Sequence, residues 1–245
     1  MNDRISSSIL WGSISFAVAI IVAAVFLSGG LHGLRGGSDT ITVTGSAKRP
    51  IRSDYVIWRG SLTSQKPAMR EAYQDVKKYA DRLHAYLKDN RIADSLITFS
   101  SIENEPVPEF TSSGQPTGKI LAYRLTQRFE VRSDRVDALV QLSNQATDLI
   151  QEGIPLMSYP LEYLYTKLAD LRIEMLAEAT RDARARAEVI ATNAGNKISA
   201  VRSARMGVFQ ITARNSTQVS DYGIYDTSSP DKDITAVVTL SFALR

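Results

Sequence analysis

From Ile9 to Leu27 the chain reads ILWGSISFAVAIIVAAVFL, a run of 19 residues without a charge. As an α-helix it spans about 28 Å, close to the hydrocarbon thickness of a bilayer. It has no polar face, which distinguishes it from a helix half-buried on a soluble core. Trp11 near its start suits the membrane interface, and Ser28-Gly29-Gly30 ends the apolar pattern with residues that stop a helix. A cleaved export signal also fits a short polar start with Arg4 followed by an apolar stretch. No convincing A-x-A site precedes the glycines, which favours a retained single span contacting the lipid bilayer through residues 9–27. The chain then divides into a tail over 1–8, the anchor over 9–27, a linker over 28–39 and a folded body over 40–245. Charge barely orients the anchor, because Arg4 precedes it and Arg35 is the only Lys or Arg in the near flank after it.

Composition limits what the body can be. A chain of 245 residues holds one or two domains, and 44% hydrophobic with 22% charged residues is ordinary globular usage. Lys and Arg number 29 against 26 Asp and Glu, a net +3 that makes too weak a field to indicate nucleic acid. No cysteine is present, which removes disulfides, thiolate metal sites and a cysteine nucleophile. The only histidines are His32, in the linker, and His84.

Periodicity predicts the elements. Ile41–Gly45 and Asp54–Thr63 are strands rich in β-branched and aromatic residues, and Gly60 marks a bulge. Pro67 opens a helix with an apolar face of Ala68, Ala72, Val76, Tyr79, Leu83 and Leu87. Strands over 96–102 and 119–131 flank a long Pro, Gly and Ser tip over 105–118. Ser133 caps a second helix carrying Val136, Leu139, Val140, Ser143, Ala146, Leu149 and Ile150, which Gly153 stops. A strand over 156–165 leads to the longest helix, 167–194, with Gly195 at its C-terminal end. Its stripe passes from Leu168, Leu171 and Met175 to Ala179, Ala183, Ala187, Ile190 and Ala194, small enough for close packing. Asp182 with Arg186 and Arg184 with Glu188 are placed for i,i+4 pairing. Strands over 198–213 and 234–244 enclose a polar loop over 214–233. The expected fold is α+β: mainly antiparallel strands with helices packed on one side, two strand-helix-strand units, then the long helix and a terminal hairpin, behind one transmembrane helix.

Chemistry finds few residues. His84 lies between Leu83 and Ala85 on the first helix, with no Ser and Asp pattern beside it. Glu103, Glu105 and Glu109 offer oxygen ligands without the spacing or ligand number of a calcium loop. Phosphate-loop, dinucleotide, zinc-protease and nucleophile-elbow motifs are absent, and Gly33, Gly36 and Gly37 form a tether. Arg172, Arg181, Arg184, Arg186, Arg202, Arg205 and Arg214 are interleaved with Glu174, Glu178, Asp182 and Glu188, a mixed surface unsuited to nucleic acid. Phe110, Tyr222 and Tyr225 are aromatics in polar loops, a composition that partner contacts use. The expectation is therefore no catalytic residue, no cofactor and no metal, with Phe110, Tyr222 and Tyr225 as partner contacts.

The segment ITVTGSAKRPIRSDYVIWRGSLT, Ile41 to Thr63, resembles the start of SIMPL-domain proteins, the YggE-like and periplasmic immunogenic group of unknown function. AYRLTQRFEV, Ala122 to Val131, is similar to that family's central strand, and LADLRIEMLAEATRDARARAEVIATNAGNKI, Leu168 to Ile198, to its long helix and terminal glycine. Tyr55 and Trp58 depart from the smaller apolar residues of the pattern, and a retained anchor departs from relatives exported after cleavage. The resemblance implies an exported envelope protein that self-associates, with a loose link to envelope or oxidative stress tolerance, and supplies no catalytic residues. The expectation is a non-enzymatic homo-oligomer held at the inner membrane by a single pass, its main domain in the periplasm. The alternatives are an adaptor for an envelope protein partner, or an enzyme with a site of dispersed carboxylates.

Overall fold

A computed structural model describes Ile20 and residues 39–245. The expectations for the tail 1–8, the anchor 9–27 and the linker 28–39 lie outside the described residues, apart from Ile20 and Asp39. Among the described residues no helix is long and apolar enough to cross a membrane. Among the described residues the architecture is α+β and mainly antiparallel, with one parallel pairing. The described residues form two compact units: residues 39–47 with Leu176–Gly207 and Val237–Arg245, and Lys48–Met175 with Val208–Ala236.

The larger unit is built on β2 (Tyr55–Lys66) and β5 (Pro116–Ser133), paired antiparallel from Val56 opposite Ser133 to Lys66 opposite Tyr123. β3 (Ile97–Phe99) and β4 (Glu103–Phe110) pair β5, while β6 (Leu156–Ser158) and β7 (Glu162–Leu164) pair β2. Because side chains alternate along a strand, one face carries Val56, Trp58, Leu62, Phe129 and Val131. Against these pack Ala80, Leu83 and Leu87 of α1 (Met69–Asp89) and Leu139 and Leu142 of α2 (Val136–Gln145). Trp58 is fully buried, meets Phe129 edge-to-face at 5.1 Å and donates its indole N–H to Ser158 Oγ at 2.8 Å. Filling the core with this ring is worth about 3 to 5 kcal/mol against alanine. Gly60 is required beside it, since a Cβ there would stand 2.5 Å from the Phe129 ring and from the Met157 carbonyl oxygen. β9 (Gln210–Ala213) pairs the Lys232–Thr235 stretch of β11 (Asp231–Leu244), and β10 (Ile224–Tyr225) runs parallel to β9.

In the smaller unit, β8 (Ile198–Met206) pairs antiparallel with Val238–Leu244 of β11. The start of β1 (Thr40–Arg52) lies alongside β11, with Thr42 and Thr44 hydroxyls bonded to Ser241 and Thr239. α4 (Leu168–Asn193) supplies Ala179, Ala183, Ala187 and Ala191, all buried. Gly45 explains these small side chains: a Cβ at Gly45 would sit 2.6 Å from the Ala183 Cα, so strand and helix meet backbone to backbone.

Several boundaries depart from expectation for identifiable reasons. Pro67 precedes α1 instead of opening it, because Ala68 is extended and its carbonyl accepts the first helical N–H bonds. The second helix is two pieces, α2 and α3 (Asp148–Gln151), with Ile150 half exposed. Tyr159-Pro160-Leu161 divides the strand expected over 156–165 into β6 and β7, and the Tyr159 N–H bonds Arg59 O at 2.9 Å. Residues 207–209 likewise divide the strand expected over 198–213, and Asp231 rather than Ile234 begins the last strand. On α4 the buried stripe keeps a spacing of four to Ala191, leaving Ile190 exposed.

Candidate functional site

The face of the larger sheet opposite the helices carries charge. Alternation places Arg124, Thr126, Arg128, Glu130 and Arg132 of β5 beside Arg59, Ser61 and Thr63 of β2. Arg59 donates to Glu130 at 2.6 Å and also to Glu162, Arg124 pairs with Glu105 at 3.1 Å, and Arg128 pairs with Glu103. The Glu130 hydrogen bond, aided by both carboxylate charges, raises the Arg59 pKa despite burial. Burial alone would raise Glu130, but hydrogen bonds from Arg59 and Arg132 hold it below the usual carboxylate range. Two adjoining hollows of about 290 and 450 Å³ share Arg59 and Tyr159. Their chief cation is already held between two carboxylates, so an incoming anion would have to displace an existing pair.

The three glutamates weighed as oxygen ligands point to separate partners: Glu103 to Arg128, Glu105 to Arg124, and Glu109 to the Thr117 hydroxyl at 2.6 Å. Among the described residues no group of three or more His, Asp or Glu side chains is placed to hold a metal ion. His84 is 3.0 Å from Asp94 and packs near Phe99, 6.4 Å between ring centroids. Its neighbours there are an acid and a phenyl ring, and a nucleophile beside it is not among them.

A second cluster, missed by sequence reasoning, lies in the segment between β10 and β11. Lys232 is completely buried and donates to Asp226 Oδ2 at 3.2 Å and to the Ser229 carbonyl. Asp226 also accepts from the Ser228 N–H and hydroxyl and from the Ser229 hydroxyl. Burial would raise Asp226, yet these bonds hold it far below the ordinary aspartate value, while burial lowers Lys232 against the pull of Asp226. The segment is bonded to its surroundings through Tyr163 N–H to Thr227 O and Ser53 N–H to Pro230 O, each 2.8 Å. The Ser228, Ser229 and Lys232 donors converge on Asp226, which makes this an internal clamp. Only the polar stretch D-T-S-S-P-D-K in the sequence could have signalled it.

The expected partner residues are not brought together in one cluster. Phe110 ends β4 opposite Pro116, and the tip expected over 105–118 is mostly paired strand with a turn over 111–115. Phe110, Ile120 and Leu121 are exposed on this hairpin. Tyr225 belongs to β10 opposite Ile211, its hydroxyl 3.5 Å from the Tyr165 N–H. Tyr222 stands 97% exposed and Val219 83% exposed in the preceding loop. A third hollow, about 430 Å³ and mainly apolar, lies between α1 and the base of the β4–β5 hairpin, lined by Met69, Arg70, Tyr73, Ile102, Asn104 and Leu125.

Residues 41–242 match the family described as SIMPL, protein of unknown function (DUF541). The chain belongs to the SIMPL family. The resemblance carried by Ile41–Thr63, Ala122–Val131 and Leu168–Ile198 is borne out across nearly the whole body. No curated protein matches this SIMPL chain. Among solved structures, a de novo designed protein, Foldit4, is 10% identical at a TM-score of 0.26, covering 43% of this chain and 93% of that one. An amidase of the hydantoinase/carbamoylase family from Burkholderia phymatum is 12% identical at 0.25, covering 50% and 30%; the chain thus spans under a third of that enzyme's length. A hydrolase from Listeria innocua is 9% identical at 0.23, covering 81% and 91%.

Proposed function

We propose that this SIMPL protein is a non-enzymatic envelope protein, held at the inner membrane by residues 9–27 with its body in the periplasm, and that it self-associates through that body. One observation carries the reading: Tyr222 and Phe110, 97% and 58% exposed, stand on backbone that hydrogen bonds or strand pairing hold in place. Ordered aromatics lose little conformational freedom on binding and supply large contact areas, which is why interfaces concentrate them. The ionic groups of the sheet face support the non-enzymatic part, since each is engaged by an opposite charge. Tethering to a bilayer raises effective concentration, so a weak contact suffices. A link to envelope or oxidative stress tolerance belongs to this proposal as its physiological setting.

Light scattering of the detergent-solubilised full chain, beside a fragment over 40–245, tests the reading. Assembly of both across micromolar concentrations is expected. A well-folded protein that is monomeric in both forms overturns it.

A further inference from the structure

The loop over 214–223 is polar in sequence and yet highly organised. The Asn215 N–H donates to Asp233 Oδ2 at 3.1 Å, and Ser216 N–H to Ala213 O at 3.0 Å. The Tyr222 N–H donates to Ser220 Oγ at 3.3 Å, Gly223 N–H to Ser220 O at 3.1 Å, and Gln210 Nε2 to Ser220 O at 2.6 Å. Asn215 and Gly223 take positive φ values of 62° and 86°, which such successive tight turns demand. The outcome is a fixed protrusion whose apolar side chains, Val219 and Tyr222, touch almost nothing of their own chain. Ordering a loop to hold two apolar groups in water is unfavourable unless something covers them.

The hollow at α1 has the matching properties. Met69 and Tyr73 form partly exposed apolar walls and Leu125 a buried floor, in a volume at the lower end of those that bury small ligands or anchoring side chains. A buried tyrosine hydroxyl needs a polar partner, and Asn104 and Arg70 stand in the lining. Charge agrees as well: Asp221 adjoins Tyr222 on the protrusion and Arg70 lies at the hollow, and among the described residues neither side chain has an ion-pair or hydrogen-bond partner. Tyr222, Met69 and Tyr73 are all exposed in one chain, so protrusion and hollow do not meet within it.

We propose that Tyr222 and Val219 of one copy dock into the Met69–Tyr73–Leu125 hollow of a second copy, with Asp221 set against Arg70. This rests on the self-association proposed above and names its junction. Two different surfaces meet, so the contact is head-to-tail and a joined pair retains one unused protrusion and one unused hollow, the geometry of rings or filaments rather than closed pairs.

Full-length protein in detergent micelles, followed by analytical ultracentrifugation, tests the junction with Tyr222→Ser and Met69→Lys. Each variant alone is expected to stay monomeric where the unaltered protein assembles, and their equimolar mixture to stop at a one-to-one dimer, since only one junction can form. The charge pair gives a second arm that leaves the fold untouched. Asp221→Arg and Arg70→Asp are each expected to weaken assembly about tenfold or more, and to restore it when combined in one chain. Unaltered assembly in both apolar variants overturns the junction and leaves self-association standing. Charge reversals that weaken assembly without mutual rescue also overturn it. A monomeric unaltered protein overturns both.

Discussion

Lys232 and Asp226 show what a single buried pair does for a segment that composition would class as loose. Removing one partner of a buried pair strands the other, at a typical cost of about 3 to 5 kcal/mol. Lys232→Met is expected near the lower bound, because Asp226 keeps its three serine hydrogen bonds. Lys232→Met with Asp226→Asn in one chain should cost less than the two singles added, which urea unfolding of all four forms will measure. The pH dependence follows from the two directions. In the folded chain Asp226 ionises below the ordinary aspartate value of about 3.9, so on acidification the unfolded chain takes up its proton first. Its contribution is complete above that value and is lost as the pH falls through the folded pKa. Lys232 acts at the alkaline end: burial lowers its pKa beneath the ordinary value of about 10.4, the folded chain releases the proton first, and stability rises with pH in that range. Urea midpoints taken from neutral pH down to about pH 3 should fall more steeply for the unaltered protein than for Asp226→Asn.

At the scale of elements, close approach and edge protection are the recurrent devices. α4 meets β1 at Gly45, so Gly45→Ala would drive a Cβ into helix backbone that has no flexible end to move. Its cost is expected at the upper bound of overpacking, about 3 kcal/mol, against about 1 to 3 kcal/mol for Ala187→Leu at a fully buried position of the same stripe. Thermal melts by circular dichroism check the order. Edges are blunted in two ways. Pro106 and Pro108, two residues apart on β4, remove backbone donors from one side of the strand, the side away from β5. β8 carries register shifts against β11 on both sides of Phe242. Pro106→Thr with Pro108→Thr should restore the outward N–H groups and make the body aggregate through β4 more readily than the unaltered one, read as turbidity and thioflavin fluorescence. The strand-helix pattern of α1 and α4 was legible because their apolar spacing is local. Strands were expected over 96–102 and 156–165, but the short bounds of β3, β6 and β7 were not legible and β10 was not expected at all, since two or three residues form a strand only when a neighbour supplies the hydrogen bonds.

For the whole molecule, the membrane tether is the expectation that governs concentration and location. Cell fractionation followed by sequencing of the mature N-terminus checks it, with recovery in the membrane fraction and an N-terminus ahead of Ile9 as the expected result. Soluble protein starting near Gly29 would remove the anchor and with it the gain in effective concentration. The body would then have to assemble on the strength of its own contacts.

The sequence by itself determined the apolar span, the absence of cysteine chemistry, the α+β alternation, the family and the two long amphipathic or small-residue helices. Each of these depends on residue type and spacing along the chain, which periodicity records directly. Phe110, Tyr222 and Tyr225 were visible as aromatics among polar residues, but exposure separates them: Tyr222 projects while Tyr225 is taken into β10. Only the tertiary structure decided that difference, together with the Lys232 clamp, the hollow beside Met69 and Tyr73, and the division into two units. These depend largely on pairings between residues far apart in sequence, such as Arg59 with Glu130, Gly45 with Ala183, or Ser53 and Tyr163 with the segment that holds the clamp. Burial and hydrogen-bond satisfaction are properties of such pairings, and no local pattern of side chains specifies which distant partner will supply them.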